Sequence, residues 1–354
     1  MKAAVFREYS SHPNKVVKIE DIDIPKIKSN EVLIKVEAAA HNYDDLWAIF
    51  GKPIQVPLPH ISGTDVAGTV VDIGEDVQKI RVGDRIVSHA NIACRVCASC
   101  TSGKEYDCND RLVWGFQTGP LWGGFAQYTH LPEVNVAKLP DNVSFNEAAS
   151  ISMVGMTSWH MLVRRAKIKP GQTVLIMGGT SGVGMVGIQI AKLFNCTVIA
   201  TAGNHEKINR CIDIGADYAV NHREPDWYKK VKNITKSEGG VQSRVDVIFE
   251  HIGQSAFPHE VSLLKMGGTL VSTGATTGYE SVLDLRHLFF RGINILGSTS
   301  ANKAELEQVI YWTSKGEIKP IIDTVMPFTQ ITDGLEMMLN GNHVGKIVNT
   351  PQRL

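Results

Sequence analysis

The chain has 354 residues, of which 43% are hydrophobic and 20% are charged, a balance typical of a globular protein large enough for two domains. Lys plus Arg and Asp plus Glu both number 36, so the formal net charge is zero. This balance argues against nucleic acid or an anionic membrane as a partner held by bulk charge. No apolar stretch approaches the length of a membrane span and no secretory signal stands at the start, so we expect a cytoplasmic protein.

The first third of the chain is rich in strand-like segments separated by glycine and proline. Residues 1–7 are predicted as a strand, Glu31–Glu37 alternates apolar and polar side chains, and Ala67–Ile73 is rich in β-branched residues. Another short strand, Arg85–Val87, follows a Val-Gly-Asp turn. This pattern of short strands separated by glycine and proline predicts an irregular, mostly antiparallel β domain.

Four cysteines occur within fifteen residues, with the spacing C-x2-C-x2-C-x7-C. They are Cys94, Cys97, Cys100 and Cys108. In a reducing compartment such a group favours metal over disulfides, and four thiolates close a tetrahedral shell around one Zn²⁺ that leaves no position for substrate. We therefore predict one structural zinc. The other two cysteines, Cys196 and Cys211, are interpreted as small packing residues.

After about residue 153 the pattern changes to strands that alternate with helices. The apolar strand Thr173–Met177 is followed by a glycine-rich loop, a helix through Phe194 and the strand Thr197–Ala200, a succession that fits a βαβ unit. Later strands are predicted at Tyr218–Val220, Val245–Phe249, Thr269–Ser272, Ile293–Leu296 and Lys346–Val348, and later helices near 206–214, 226, 257–264, 303–314 and 331–339. Continuous apolar strands indicate an α/β fold with a parallel sheet that is covered on both faces.

The loop of residues 178–184 reads GGTSGVG and lies between a predicted strand and a predicted helix. Its backbone N–H groups and the helix N-terminus are suited to a pyrophosphate. Gly179, Gly182 and Gly184 would serve the tight turn, the close phosphate approach and the helix–strand packing, and Ser181 is a further candidate contact. A plain glycine-rich turn is the alternative interpretation.

The end of the second strand of the βαβ unit bears on the choice of cofactor. NAD sites place an acidic residue there to hold the ribose hydroxyls, whereas this chain has small residues followed by Asn204, His205 and Lys207. A lysine would accept the 2′-phosphate that a carboxylate repels, so we expect NADP(H) rather than NAD(H). A solvated Lys207 at the start of a helix is the alternative.

Over nearly its whole length the chain resembles the medium-chain dehydrogenase/reductase superfamily of zinc alcohol dehydrogenases and quinone oxidoreductases. The resemblance is carried by the turn 82–87, the four-cysteine lobe, residues 123–128, the glycine loop, residues 245–250 and residues 295–298. It implies a GroES-like catalytic domain (residues 1–153 and 298–354, with the zinc lobe at about 90–110) and a Rossmann domain with a doubly wound parallel sheet (154–297). It also implies an active site in the cleft between the domains and a homodimer, with a tetramer as the alternative.

The same resemblance locates the positions of a catalytic zinc. Alcohol-oxidising members of the superfamily bind that ion with a Cys, a His and a second Cys or acidic residue, and these positions match Asn42, Thr64 and about Met153. None of the three is a good zinc ligand. The resemblance therefore implies that the structural zinc is kept and the catalytic zinc is absent. A displaced metal site that uses His41 or His60 with an aspartate is the open alternative.

Loss of the catalytic zinc favours particular chemistry. Hydride reduction of a simple ketone leaves an alkoxide, whereas conjugate addition spreads the charge into an enolate or quinol, for which hydrogen-bond donors suffice. We therefore expect an NADPH-dependent reductase of quinones or α,β-unsaturated carbonyls. Asn42 and Thr64 are the candidate donors, and Asp45 is expected to orient its neighbours. Tyr43 is a candidate proton donor that has packing as its alternative role.

By resemblance, Thr157 and Val183 border the nicotinamide, His222 contacts the adenosine end of the cofactor, and Gly274 is a further cofactor contact. Two other functions stay open on the sequence alone. One is an alcohol dehydrogenase or aldehyde reductase, with or without a relocated metal. The other is a non-catalytic NADP-binding sensor.

Overall fold

The computed structural model describes residues 1–237 and 244–351. The chain forms two compact units. Unit 1 comprises Met1–Met156, Ala301–Gly316 and Pro320–Leu354, and unit 2 comprises Thr157–Ser300 and Glu317–Lys319. In the described part of the chain, no helix is both long and apolar enough to cross a bilayer.

The elements are numbered in chain order. The strands are β1 (Lys2–Val5), β2 (Lys18–Asp21), β3 (Glu31–Ala40), β4 (Asp65–Ile73), β5 (Arg85–Ser88), β6 (Asn91–Ile92), β7 (Leu112–Val113), β8 (Tyr128–Pro132), β9 (Val136–Lys138), β10 (Thr173–Ile176), β11 (Thr197–Ala202), β12 (Tyr218–Asn221), β13 (Val245–Glu250), β14 (Leu264–Ser272), β15 (Asn294–Gly297), β16 (Ile322–Pro327) and β17 (Lys346–Thr350). The helices are α1 (Pro13–Val16), α2 (Tyr43–Phe50), α3 (Ala98–Thr101), α4 (Phe145–Trp159), α5 (Gly182–Leu193), α6 (His205–Ile214), α7 (Trp227–Ser237), α8 (Phe257–Leu263), α9 (Leu285–Arg291), α10 (Lys303–Ser314) and α11 (Ile331–Leu339).

Unit 1 is built on a seven-stranded sheet of order β16-β17-β3-β4-β5-β9, with β8 paired to β3. The pairs are antiparallel except for β16 with β17. Alternation along β3 buries Val32, Ile34 and Val36 in the core, as a sheet with one packed face requires. Because β17 pairs with the end of β3, the first residue of β17 lies beside the chain that leaves β3 for α2. This crossing point matters for the site described below.

Unit 2 contains a six-stranded parallel sheet of order β12-β11-β10-β13-β14-β15. This is the doubly wound arrangement, with its switch point between β10 and β13. Residues Val174–Ile176 of β10 are fully buried, which agrees with a strand that is covered on both faces. The predicted α/β fold with a parallel Rossmann sheet is confirmed.

Sequence analysis predicted neither α2 nor α4. Most of α4 is buried, and its sequence mixes alanine, serine and glycine with apolar residues, so it lacks the polar stripe by which a surface helix is recognised. The eight residues of α2 are too few for a convincing period. The omission of α2 has consequences, because α2 begins at the candidate catalytic residues.

Candidate functional site in unit 1 and nucleotide site in unit 2

Asn42 is the N-cap of helix α2 and has an extended backbone. The backbone N–H of Asn42 donates to Asp45 Oδ2 over 2.8 Å, and the backbone N–H of Gly63 donates to Asp45 Oδ1 over 2.9 Å. Asp45 is buried, and burial together with the neighbouring Asp44 charge raises its pKa well above the ordinary value. Asp45 thus ties the start of α2 to the chain that leads into β4, which is the geometry of an orienting residue.

A closed polar network surrounds the side chain of Asn42. Its Nδ2 donates to Thr64 Oγ1 over 2.9 Å and to Asp65 Oδ2 over 2.8 Å. Its Oδ1 accepts from the ammonium of Lys346 over 2.5 Å, and the same ammonium lies 3.0 Å from Asp65 Oδ2. The Lys346 and Asp65 side chains are 3% and 0% exposed. A buried ion pair of this kind persists only when its remaining hydrogen-bonding groups are satisfied.

The three positions matched to a catalytic zinc meet at this network. Besides the Asn42–Thr64 contact, the backbone N–H of Met153 donates to Asp65 Oδ1 over 2.8 Å. An amide with both hydrogens donated, a hydroxyl and a thioether do not make a zinc shell. An ammonium in contact with the same residues is a further obstacle to a divalent cation. The residues present therefore do not fit a catalytic zinc.

Asp44 lies beside this network on the first turn of α2. Its Oδ1 is buried and accepts no hydrogen bond from any of the described residues. Burial, reinforced by the charge of Asp65, raises the pKa of Asp44 to about 7. The catalytic candidates predicted from the sequence are Asn42, Tyr43, Asp45 and Thr64, whereas Asp44 was considered only among the aspartates of a displaced metal site. No local pattern distinguishes two adjacent aspartates, because the difference lies in what each carboxyl contacts.

The rings of Tyr43, His41 and His60 make contacts with neighbouring rings, side chains and backbone. The ring of Tyr43 packs edge-on against Trp47, with 5.7 Å between centroids. His41 Nε2 donates to Asn349 Oδ1 over 2.5 Å, and burial lowers the pKa of His41 to about 3. The ring nitrogens of His60 lie 3.2 and 3.3 Å from backbone carbonyl oxygens.

The four clustered cysteines converge as the spacing indicates. Their sulfur atoms all lie within 4.8 Å of one another, and Cys94 Sγ lies 3.9 Å from Cys100 Sγ. Backbone N–H groups of Val96 and Cys97 lower the pKa of Cys94 to about 6, whereas loss of solvent raises the pKa of Cys100 to about 12. Over residues 1–237 and 244–351, this is the one group of three or more His, Cys, Asp or Glu side chains arranged to hold a metal. Its all-thiol donor set fits a closed zinc site.

The glycine loop of unit 2 joins β10 to α5. Ser181 is the N-cap of α5, and its Oγ accepts from the N–H of Gly184 over 3.0 Å. A methyl group on Gly184 would lie 2.2 Å from the carbonyl oxygen of Gly178, and one on Gly179 would lie 2.8 Å from Cys211 Sγ. These glycines are therefore required for the close packing of loop and helix. The first turn of α5, which includes Gly182 and Val183, leaves N–H groups without intrahelical acceptors.

A group of basic side chains lies where β11 and β12 end. Asn204 caps α6, and its Oδ1 accepts from the N–H of Lys207 over 2.8 Å. His222 approaches Thr201, and burial together with the charges of Arg223 and Lys207 lowers its pKa. A methyl group on Gly203 would lie 3.1 Å from Arg223 Nε, so the guanidinium covers this glycine. Arg223 was not predicted, although it follows His222 directly.

The remaining predicted cofactor residues also lie near the carboxyl ends of the parallel strands. Ser158 Oγ, next to Thr157, donates to the carbonyl oxygen of Val183 over 3.0 Å, so the end of α4 meets the start of α5. Gly274 follows β14 and packs against the backbone of His251. Ligands of doubly wound folds bind along this edge of the sheet.

Family models cover most of the chain. Residues 28–141 match the alcohol dehydrogenase GroES-like domain, and residues 182–315 match the zinc-binding dehydrogenase domain. The chain therefore belongs to the zinc-binding dehydrogenases of the medium-chain dehydrogenase/reductase superfamily. It is an oxidoreductase, as its fold, its glycine loop and its cysteine lobe indicate.

Individual relatives carry different activities in their names. An alcohol dehydrogenase of Geobacillus stearothermophilus is 32% identical over 98% of both chains. An acryloyl-coenzyme A reductase of Sulfurisphaera tokodaii is 28% identical over 96% of this chain and 98% of its own. A crystal structure of an NAD-dependent alcohol dehydrogenase superposes with a TM-score of 0.92 at 35% identity, covering 99% of each chain.

Proposed function

We propose that this oxidoreductase is an NADPH-dependent reductase of α,β-unsaturated carbonyl compounds, with quinones as further conjugated acceptors. The observation that carries the proposal is the network at Asn42, Thr64 and Asp65, where the buried ammonium of Lys346 is found in place of a set of zinc ligands. A site without a Lewis acid is suited to an acceptor that delocalises the incoming negative charge.

NADPH, when bound, supplies the hydride. The chain contributes a fixed polar surface: the Asn42 amide is held by Lys346 and Asp65, and it in turn holds the hydroxyl of Thr64. Such dipoles do not need to reorganise when charge develops on the substrate oxygen, which is the main benefit of a preorganised site. Thr64 is proposed to border that oxygen with its hydroxyl, Asn42 to hold Thr64 through its amide, and Asp45 to hold Asn42 in place. Tyr43 is proposed to line the site through its ring.

The preference for NADPH rests on the ends of β11 and β12. Arg223 lies against Gly203, and the charges of Arg223 and Lys207 both act on His222. The Arg223 side chain makes no hydrogen bond or ion pair with another described residue. A guanidinium is suited to a phosphate in geometry and charge. The solved neighbour described as NAD-dependent shows that the fold also accepts the other cofactor, so the basic side chains of this chain carry the argument.

An alcohol dehydrogenase or aldehyde reductase is the second candidate, because relatives of that name reach 32% and 35% identity. The acryloyl-coenzyme A reductase favours the first candidate. A single panel separates them. NADPH oxidation is measured with acryloyl-CoA, a simple enone and a quinone, against saturated aldehydes and ketones, and NADP⁺ reduction is measured with ethanol and benzyl alcohol.

We expect kcat/KM for the conjugated acceptors to exceed that for the saturated carbonyls by at least about a hundredfold, a difference of about 2.7 kcal/mol. Sustained oxidation of the alcohols at comparable rates would favour the second candidate. Tight NADPH binding without turnover of any compound would instead favour a non-catalytic sensor. One structural zinc per chain, held by the four cysteines, completes the proposed cofactor set.

A homodimer is proposed from the edge of the unit 2 sheet. In the described part of the chain, β15 is an outer strand of this sheet, and an unpaired edge is a template for another strand. The residues just before it carry apolar side chains that are 63% to 81% exposed. They are Val282, Leu285, Phe289 and Phe290. A second copy of the chain would cover both features, and light scattering of Leu285→Glu against wild type measures the association.

A further inference from the structure

The start of α2 holds two adjacent aspartates whose surroundings differ. Asp45 accepts two backbone N–H groups, one on each carboxyl oxygen. Asp44 Oδ1 is buried, and none of the described residues donates to it. Since each hydrogen bond from a donor stabilises the ionised form of a carboxyl, protonation of Asp45 would break a bond and protonation of Asp44 Oδ1 would not. Burial raises the pKa of both carboxyl groups, but only Asp44 can take up a proton, on Oδ1, without the loss of a hydrogen bond.

Asp65, on β4, differs from Asp44 in the number of hydrogen bonds that its carboxyl group accepts. Its two oxygens accept from the N–H of Met153, the amide of Asn42 and the ammonium of Lys346, at 2.8, 2.8 and 3.0 Å. Three donors, one of them charged, hold Asp65 as a carboxylate. Its negative charge acts on Asp44 and disfavours a second anion there. When the surroundings of two neighbouring carboxyl groups move their pKa values apart, one group can stay protonated as an acid while the other stays ionised.

The ammonium of Lys346 and the amide of Asn42 are already engaged as donors. All three ammonium hydrogens of Lys346 have acceptors, namely the His41 carbonyl, Asn42 Oδ1 and Asp65 Oδ2. Because an ammonium only donates, it fixes the amide of Asn42 with Oδ1 toward Lys346, and both Nδ2 hydrogens are then donated to Thr64 and Asp65. Neither residue has a proton to give to a substrate without loss of the network. Asp44 is half-buried, is adjacent to this network, and has a carboxyl oxygen to spare.

We propose that the carboxyl group of Asp44 is the acid that protonates the reduced substrate. This inference rests on the proposed reduction of conjugated carbonyls and adds to it the source of the proton. Bound NADPH would supply a hydride to the β-carbon of the acceptor, and the electrons of the C=C bond would move toward the carbonyl oxygen. The O–H bond of Asp44 would then break, its proton would form a C–H bond at the α-carbon of the enolate, and the C=O bond would be restored in the saturated product. Water returns a proton to the Asp44 carboxylate, so one NADPH and one proton are consumed for each turnover.

The groups that act on the Asp44 carboxyl come from three elements: the charge of Asp65 on β4, the ammonium of Lys346 on β17, and the backbone N–H groups of Asp44 and Asp45 on α2, which lower its pKa. Burial and the Asp65 charge raise the pKa of Asp44 to about 7, while Lys346 opposes the shift. The acid is therefore present below neutral pH and lost above it. The rate of the proton-dependent step should fall as the pH rises through about 7.

The test compares wild type, Asp44→Asn and Asp23→Asn, an exposed control, with an enone as substrate. A general acid contributes a factor of about 10² to 10⁴ to the rate, so kcat of Asp44→Asn should be at least about a hundredfold lower than that of wild type. Its Kd for NADPH should stay within about threefold of the wild-type value. The decline of the rate near pH 7 should be absent from Asp44→Asn. Tyr43→Phe should keep that decline. The proposal is overturned if Asp44→Asn stays within threefold of wild type, or if the decline survives in Asp44→Asn and disappears in Tyr43→Phe.

A second measurement requires no turnover. The ¹³C carboxyl resonances of aspartate-labelled wild type are titrated by NMR. The Asp44 signal is assigned as the one that is absent from the spectrum of Asp44→Asn. If Asp44→Asn does not fold, the signals of Asp45 and Asp65 are assigned from variants at those positions instead. A protonated Asp44 at pH 6 supports the proposal, and an ionised Asp44 at pH 6 overturns it. If the wild type reduces no conjugated carbonyl, the proposed function fails, and this titration still decides whether Asp44 holds a proton.

Discussion

The carboxylate of Asp45 joins the N–H of Gly63 to the N-cap of α2, across 18 residues of sequence. Substitution Asp45→Ala would leave two backbone N–H groups without acceptors in a buried place, and each such group costs about 1–3 kcal/mol. We expect the free energy of unfolding to fall by at least about 2 kcal/mol in urea titrations. Asp45→Asn keeps one acceptor oxygen and should lose less. An exposed control, Asp23→Ala, should change little. A loss in Asp45→Ala no larger than in that control would contradict the role assigned to Asp45.

Substitution Gly184→Ala should disrupt the nucleotide loop. The added methyl group would lie 2.2 Å from the carbonyl oxygen of Gly178, so loop and helix must move apart, at a cost of about 1–3 kcal/mol. We expect NADPH to bind at least tenfold more weakly by fluorescence titration. Gly187→Ala in the same helix is the matched control, because its methyl group meets Phe249 at an ordinary 3.4 Å. Equal affinity of the two variants would argue against a phosphate-binding loop.

The sites that could be located from the sequence are those whose functional residues lie close together along the chain. The four cysteines span fifteen residues, and the glycine loop lies within one βαβ unit, so spacing alone restricts their geometry. The continuous apolar strands likewise predicted the parallel sheet of unit 2, because only a doubly covered strand can be apolar on both faces.

The network around Asn42 was not predictable in this way. Lys346 is 304 residues from Asn42 and 281 from Asp65, and only the pairing of β17 with the end of β3 brings them together. Sequence analysis placed Lys346 in the last strand and gave it no role. Asp44 was missed for a related reason: its difference from Asp45 depends on backbone donors at Gly63 and Asn42, which no motif records.

Glu260 should make stability depend on pH. Both of its carboxyl oxygens are buried and accept no hydrogen bond within residues 1–237 and 244–351. Burial, together with the charge of Glu250, raises its pKa well above the ordinary value. The native state then binds a proton that the unfolded state releases above about pH 4.5, so stability falls as the pH rises from there.

We expect Glu260→Gln to match wild type near pH 4 and to exceed it increasingly toward pH 8 in thermal unfolding. Glu280→Gln, an exposed control, should follow wild type at every pH. If Glu260→Gln and wild type lose stability in parallel, Glu260 has a partner that neutralises it.

Removal of zinc should affect stability before it affects chemistry. A closed shell of four thiolates leaves no coordination position for substrate, so the ion supports the lobe around Cys94–Cys108. We expect one zinc per chain by elemental analysis, none in a Cys97→Ser Cys100→Ser double variant, and a full complement in Cys196→Ser. Chelation should lower the Tm under conditions in which kcat of the still-folded protein is retained. Two zinc ions per chain would instead support a relocated metal site.

Arg223 should determine the choice between NADPH and NADH. Its guanidinium covers Gly203 at the end of β11, and a charge-assisted contact with phosphate is worth about 1.5–3 kcal/mol. That corresponds to about a tenfold to hundredfold weaker NADPH Kd in Arg223→Ser, with the NADH Kd unchanged, both measured by calorimetry. Arg210→Ser on the outer part of α6 removes an arginine of similar exposure and should leave both constants as they are. Because Arg223 also lowers the pKa of His222, its loss should raise that pKa. Equal weakening of both cofactors, or a wild type that binds NADH more tightly, would show that Arg223 does not contact a 2′-phosphate.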